Sequence, residues 1–305
     1  GIPVNGIIGS HFFKQNLIEI NYAAQKVFIH DKKKFKESKL KNFQKIAITL
    51  EKNKPYMKGE VILNNIFFPV KLLIDTGNSD AIWLFESIIQ IPIKNFDDYL
   101  GTGFGGEILG KRAKISGFLM SNFVFSNPIA SFPDLSSLKN LKLVDNRAGS
   151  VGGEIFKRFN VFFDYAHEFI YLKKNKYFDK PFNYNKSGIE IQHSGLQLVT
   201  KEDVDYALQI SGIKIDFGDK KVDLKYKFEL KPNFEITYVR KESPAALSGL
   251  KSGDILLSIN DELIYKYKLQ EINELLKSED NKNIKIEVNR DNRILKFQFQ
   301  LINVL

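Results

Sequence analysis

Asp75-Thr76-Gly77 closes an apolar run, Lys71-Leu72-Leu73-Ile74, and the only tryptophan follows it in Ile82-Trp83-Leu84. An aspartate at the end of a hydrophobic strand can do one of two things. It can bond locally as a turn residue, or it can act as a proton acceptor that activates water. One form of that role uses a companion carboxylate about 3 Å away, so that the two share one proton and divide the acid and base work. The chain holds a single Asp-Thr-Gly triplet. The question is where a second one would stand.

An internal repeat bears on that question. Residues 9–29 (GSHFFKQNLIEINYAAQKVFI) align without a gap with residues 152–172 (GGEIFKRFNVFFDYAHEFIYL), an offset of 143 that carries Gly9 onto Gly152. Phe13 meets Phe156, Lys14 meets Lys157, Tyr22 meets Tyr165 and Ala23 meets Ala166. Each copy reads as a glycine turn, a short helical turn and two strands joined at the Tyr-Ala step. Asn21 stands where the second copy has Asp164, so a required charge at that position is not expected. Carried across the whole unit, the same offset puts a partner of Asp75 about 68 residues before Gly1. The chain is therefore expected to open at the end of a truncated first repeat, residues 1–30, with most of that repeat and any signal peptide out of view.

Residues 31–45 are charged and lack strand periodicity, which reads as a linker. Residues 46–74 then alternate in short apolar runs with a turn at Asn64-Asn65. Within the stretch 101–118, five glycines crowd into its first ten positions, at 101, 103, 105, 106 and 110. A hairpin with a bare, glycine-rich tip around Gly103, Phe104, Gly105 and Gly106 fits a flap over a cleft, and equally an ordinary bulged hairpin. Residues 46–175 thus form one β-rich lobe.

The totals narrow the function classes. Of 305 residues, 43% are hydrophobic and 27% charged, enough for two folded domains of ordinary solubility. The net charge of +9 is spread out, and Lys32-Lys33-Lys34 is the one tight basic run, without the arginines and interleaved aromatics of a nucleic-acid surface. There is no cysteine, which removes thiolate chemistry and disulfides, and the four histidines lack ligand spacing. No metal, cofactor or nucleic acid is expected, and no apolar run is long enough to span a bilayer.

After the polar junction at residues 173–187 a different pattern begins. Ser243-Pro244-Ala245, Gly249-Leu250, Gly253-Asp254 and a strand ending at Asn260 follow one another closely. Leu269, Ile272, Leu275 and Leu276 fall on one helical face. Residues 192–231 read as an insertion that is partly strand-like.

The order of elements around Asp75 resembles the aspartic peptidases of the pepsin and retropepsin type. The evidence is Asp75-Thr76-Gly77 after its strand, Ile82-Trp83-Leu84 behind it, the glycine-rich hairpin and the late Val151-Gly152 step. Asn78 departs from the small residue usual after the triplet. The motif S-P-A…G-L-K-x-G-D-x-L-x-x-I-N resembles a PDZ domain of the bacterial protease kind over residues 176–305, with Ser187-Gly188-Ile189-Glu190-Ile191 as its carboxylate-binding loop. Together they resemble bacterial envelope proteases and imply a mainly β chain: a barrel-like protease lobe, then a PDZ domain built as a small β-sandwich with helices. The resemblance implies an aspartic endopeptidase acting on polypeptide substrates, with Asp75, Thr76 and Gly77 catalytic and residues 103–106 as the flap. It implies a peptide or C-terminal tail held at Gly188, Ile189, Ile191 and Ile272. It also implies a missing first lobe, upstream or from a second copy, an inactive isolated monomer, and a periplasmic, envelope-associated or secreted setting. The alternative is a non-catalytic peptide-binding or scaffolding protein on a peptidase-like fold.

Overall fold

A computed structural model describes residues 6–103, 106–138, 143–202 and 226–305. The chain is mainly β and divides into two compact units, one reaching to Tyr184 and including Asn303–Leu305, the other Asn185–Ile302. Phe104, Gly105 and the middle of the expected 192–231 insertion lie outside the described residues.

The first unit has strands β1 (Leu17–Asn21), β2 (Lys26–His30), β3 (Gln44–Ala47), β4 (Thr49–Glu51), β5 (Lys54–Leu63), β6 (Ile66–Asp75), β7 (Ile82–Leu84), β8 (Asn95–Gly103), β9 (Gly106–Lys114), β10 (Gly117–Met120), β11 (Phe123–Ser126), β12 (Ile129–Pro133), β13 (Arg147–Gly152), β14 (Phe159–Asp164) and β15 (Phe169–Lys174). Short helices are α1 (Ser10–Gln15), α2 (Leu135–Leu138) and α3 (Gly153–Phe156), and a 3-10 turn at Glu37–Leu40 lies in the stretch expected as a linker. One sheet has the order β2-β1-β14-β15-β3. A larger one runs β11-β10-β5-β6-β13-β7-β12-β9-β8, with β4 beside β5.

Asparagine and aspartate place the tight turns. Lys52-Asn53 and Asn64-Asn65 both take positive φ at consecutive residues and close the β4–β5 and β5–β6 hairpins. Two left-handed residues in a two-residue loop match the twist of the flanking strands, and Asn tolerates that conformation best among residues with a Cβ.

The repeat is realised in three dimensions. Gly9 and Gly152 cap α1 and α3 with nearly the same extended backbone (φ −89° and −109°, ψ −178° and −174°). Gln25 and Glu168, 143 apart, both adopt positive φ and return an N–H to the carbonyls of Tyr22 and Tyr165. β1 pairs with β14 so that Ile18 faces Phe163, Glu19 faces Phe162 and Ile20 faces Val161. Val161, Phe162 and Phe163 are the counterparts of Ile18, Glu19 and Ile20. Exchanging the copies therefore returns the same register, and a local twofold passes through the Glu19–Phe162 pair. Behind this sheet Ile18, Phe156, Phe159, Val161, Phe163 and Ile170 are fully buried, each contributing about 1.5–3 kcal/mol. Asp164 accepts from His167 at 2.7 Å and Asn21 from the Ala24 N–H at 3.0 Å, so both copies use this position to hold a turn.

The second unit has β16 (Ile189–Glu202), β17 (Tyr226–Val239), β18 (Ile255–Ile259), β19 (Glu262–Leu263), β20 (Asn283–Arg290) and β21 (Arg293–Gln300), in the order β16-β17-β18-β20-β21 with β19 beside β18. Helix α4 (Pro244–Ser248) has Ser243 as N-cap, accepting from the Ala246 N–H at 3.2 Å, proline in the first turn and left-handed Gly249 (φ 100°) at its end. Helix α5 (Leu269–Leu276) buries Leu269, Ile272 and Leu276. Asp254, 1% exposed, receives two Arg290 bonds at 2.6 and 2.7 Å and the Lys251 N–H at 2.9 Å, a structural clamp between a turn and β20. Among the described residues no helix is long and apolar enough to cross a membrane.

Candidate functional site

Asp75 ends β6, and β13 runs parallel beside it with Gly152 opposite Asp75. Its carboxylate accepts the Gly77 N–H at 3.1 Å, and its carbonyl accepts the Asn78 N–H at 3.2 Å. The turn lies directly on Gly152: a Cβ there would come within 2.2 Å of the Asp80 carbonyl. Gly153 donates to the Asn78 carbonyl at 2.6 Å and Gly152 to that of Ala81 at 2.9 Å. Burial first, and then the Asp75 charge, push the Tyr165 phenol well above its usual range. At Gly9, the counterpart of Gly152, a Cβ would meet nothing within 4 Å. The described residues hold one such turn, not two. Of the flap residues, Gly103 and Gly106 pair across the end of the β8–β9 hairpin.

Sequence reasoning missed the polar centre of this unit. Arg112 on β9 donates through Nη1 to Asp80 Oδ1 at 2.8 Å and to Ser131 Oγ at 3.0 Å, and through Nε to Asp98 Oδ2 at 2.7 Å. Ser131 Oγ and Trp83 Nε1 both donate to Asp80 Oδ2, at 2.9 and 2.7 Å. The three charged side chains are 7–15% exposed. Burial pushes the Asp80 carboxyl up, but the Arg112 charge and the hydrogen bonds outweigh it and hold the group below the usual carboxylate range. This network fastens the base of the hairpin to the segment that follows Asp75. The available sequence signal was Asp80 placed just before the buried Ile82-Trp83-Leu84 strand.

In the second unit Gly188 adopts φ 85°, and a Cβ there would meet the Ser243 side chain at 2.2 Å. Its carbonyl accepts from the Arg240 N–H at 2.7 Å, and the Ser187 carbonyl from Ala245 N–H at 3.1 Å. The N–H groups of Ser187 and Gly188 point at Asn185 Oδ1, at 3.1 and 3.3 Å, and the Ile189 N–H at Ser187 Oγ, at 3.3 Å. Three successive amides so arranged form a concavity suited to an anion, here occupied by neutral oxygens of the loop itself. Lys186 is buried beside it, held by Asp280 at 2.6 Å and the Ser278 carbonyl at 2.7 Å, while its N–H reaches the Leu276 carbonyl at the end of α5. Ile189, Ile191 and Ile272 meet in one core cluster, and β16 forms the end of its sheet beside α5. The structure therefore brings Gly188, Ile189, Ile191 and Ile272 together around a loop, an edge strand and a helix.

Residues 235–290 match the PDZ domain family. Among solved structures, the HtrA3 PDZ domain bound to a phage-derived ligand (FGRWV) aligns at 18% identity over 37% of this chain and 88% of that one, with a TM-score of 0.20. The HtrA-type protease AlgW with decapeptide aligns at 12% identity over 83% of this chain and 74% of that one, with a TM-score of 0.27. No curated protein matches. The expectation of an aspartic-type endopeptidase is corrected here. The proteases with which the chain aligns are described as HtrA-type, not as aspartic peptidases. Within the chain, the Asp75 carboxylate is engaged by its own turn, and the described residues supply one such turn where paired-carboxylate chemistry requires two.

Proposed function

We propose that this protein binds polypeptide segments through its PDZ unit and does so on a peptidase-like scaffold without catalysis of its own. The observation that carries the reading is the edge position of β16 beside α5, with the Gly188 loop at its start, inside a unit that matches the PDZ family over residues 235–290. A peptide adds as a further strand to such an edge, and its terminal carboxylate enters the concavity of the Ser187, Gly188 and Ile189 amides in place of the Asn185 oxygen. The first unit is read as a lobe of retropepsin-like architecture, supported by the parallel pairs β6–β13 and β7–β12 around the Asp75 turn. A periplasmic, envelope or secreted setting belongs to the same proposal.

The test is selection of a phage-displayed library of C-terminal peptides on the full chain, followed by fluorescence anisotropy of the selected pentapeptides as free acids and as amides. Saturable binding of the acids, weakened in the amides, is expected. A library that yields no binder refutes the reading.

A further inference from the structure

β16 and β17 are longer than the sheet they belong to. They pair from Ile189↔Val239 to Glu202↔Tyr226, whereas β18 joins β17 only at Glu235↔Ile255. From Leu196 and Pro232 onward, the described residues form a two-stranded ribbon. A bulge marks its base: the register steps from His193↔Phe234 to Leu196↔Pro232, with Gly195 at φ 96°. The bulge inserts one residue on β16 and thereby preserves the face. Ile191/Ile236, His193/Phe234, Leu196/Pro232 and Leu198/Leu230 follow one another on the same side, and Phe228 continues the row two residues beyond Leu230. The first two pairs belong to the packed side of the unit, where His193 and Phe234 rings lie 4.6 Å apart. The rest of the row is bare: Leu196 is 65% exposed, Leu198 64%, Phe228 61% and Leu230 66%. On the other side Glu229 and Lys231 pair at 2.7 Å. A ribbon with one apolar and one polar face, its apolar face in solvent, marks an interaction surface.

We infer that this ribbon extends the peptide groove, so that the ligand is a long extended segment with apolar residues at alternate positions upstream of its C-terminal anchor. The inference rests on the peptide-binding reading above. The occupant follows from continuity of strand and face. A peptide running antiparallel to β16 from Gly188 leaves the α5 groove directly along the ribbon edge. Its side chains on the core side then continue onto the face that carries Leu196 and Leu198. Reaching Leu198 takes a segment of about ten residues, roughly 33 Å at 3.3 Å per residue.

The experiment compares a selected pentapeptide with two twelve-residue peptides that share its last five residues, one with alternating Leu upstream and one with Ser in those places. Binding of all three to the full chain is read by anisotropy. The Leu peptide is expected to bind at least about tenfold tighter than the pentapeptide, and the Ser peptide no more than about threefold tighter. In a Leu196→Ser, Leu198→Ser double variant the pentapeptide affinity stays and the gain with length disappears; unchanged pentapeptide binding also shows that the variant is folded. Equal affinity of pentapeptide and Leu peptide, or a gain that survives the double variant, overturns the extension and leaves the groove reading intact. Failure of every peptide to bind overturns the groove reading, and the extension with it. A dimer of the parent chain in sedimentation that the double variant abolishes would make a second copy the occupant and also overturn the inference.

Discussion

Replacing Arg112 by Met removes the cation that pairs with both Asp80 and Asp98 and leaves the two carboxylates behind. Asp80 and Asp98 are 15% and 7% exposed at their side chains, so neither is solvated enough to be screened. Breaking a buried ion pair by deleting one partner costs about 3–5 kcal/mol, because the other charge stays uncompensated. Here Asp80 keeps the Ser131 and Trp83 bonds while Asp98 loses the 2.7 Å contact to Nε, so we expect a loss of about 3–4 kcal/mol. The assay is built in. Trp83 is the only tryptophan, and its Nε1–H donates to Asp80, so its fluorescence follows unfolding of this unit alone. With a urea slope of about 2 kcal/mol per molar, the midpoint should fall by roughly 1.5–2 M with the slope unchanged. Acid should act through the same group. The folded Asp80 carboxyl titrates below its unfolded value of about 3.9, so its contribution is present above that pH and is lost as pH falls through the lower, folded value. In Arg112→Met that acid-dependent loss should vanish or reverse. A stability loss under about 1 kcal/mol, the scale of an exposed pair, would refute the reasoning.

Other substitutions separate the two repeat copies and the two units. Gly152→Ala should destabilise by about 1–3 kcal/mol or more in the Trp83 urea assay, since its Cβ would strike a backbone oxygen at 2.2 Å, whereas Gly9→Ala should stay within about 0.5 kcal/mol. Gly188→Ala should weaken pentapeptide binding at least about tenfold in anisotropy, because positive φ and the Ser243 contact both oppose a Cβ at the head of β16. Asp75→Asn keeps an Oδ1 acceptor for the Gly77 N–H, so urea midpoint and peptide affinity should both stay at parent values.

The sequence carried the repeat because Gly9, Phe13, Tyr22 and Ala23 kept their identities at one fixed offset; only coordinates could show that the register inverts onto itself. The Asn64-Asn65 turn was legible because few other residues accept left-handed backbone twice in a row. Arg112 was not. Its partners lie 14 and 32 residues away, and a lone arginine among Lys111 and Lys114 looks like a solvated strand face until strand pairing closes around it. Lys186 was hidden in the same way, in a polar junction that turns out to hold a buried cation beside the Gly188 loop. The enzyme expectation came from a motif that fixes one carboxylate and is silent on its companion. The β16–β17 ribbon was visible only as a partly strand-like insertion, because a bulge at Gly195 shifts the alternation by one residue and erases its period.

The β1–β14 register has a consequence for assembly. A contact that maps onto itself when its two halves are exchanged is isologous, the kind that joins identical subunits. β14 is thus met by a strand that imitates it, and the covalent link makes an internal pseudo-dimer of what two separate molecules could form. With residues up to His30 removed, the exposed β14 would offer Phe162 to Phe162 and Val161 to Phe163 of another copy in the geometry β1 now occupies. Strand β1 therefore acts as a built-in stopper: it satisfies an edge that otherwise recruits its own kind.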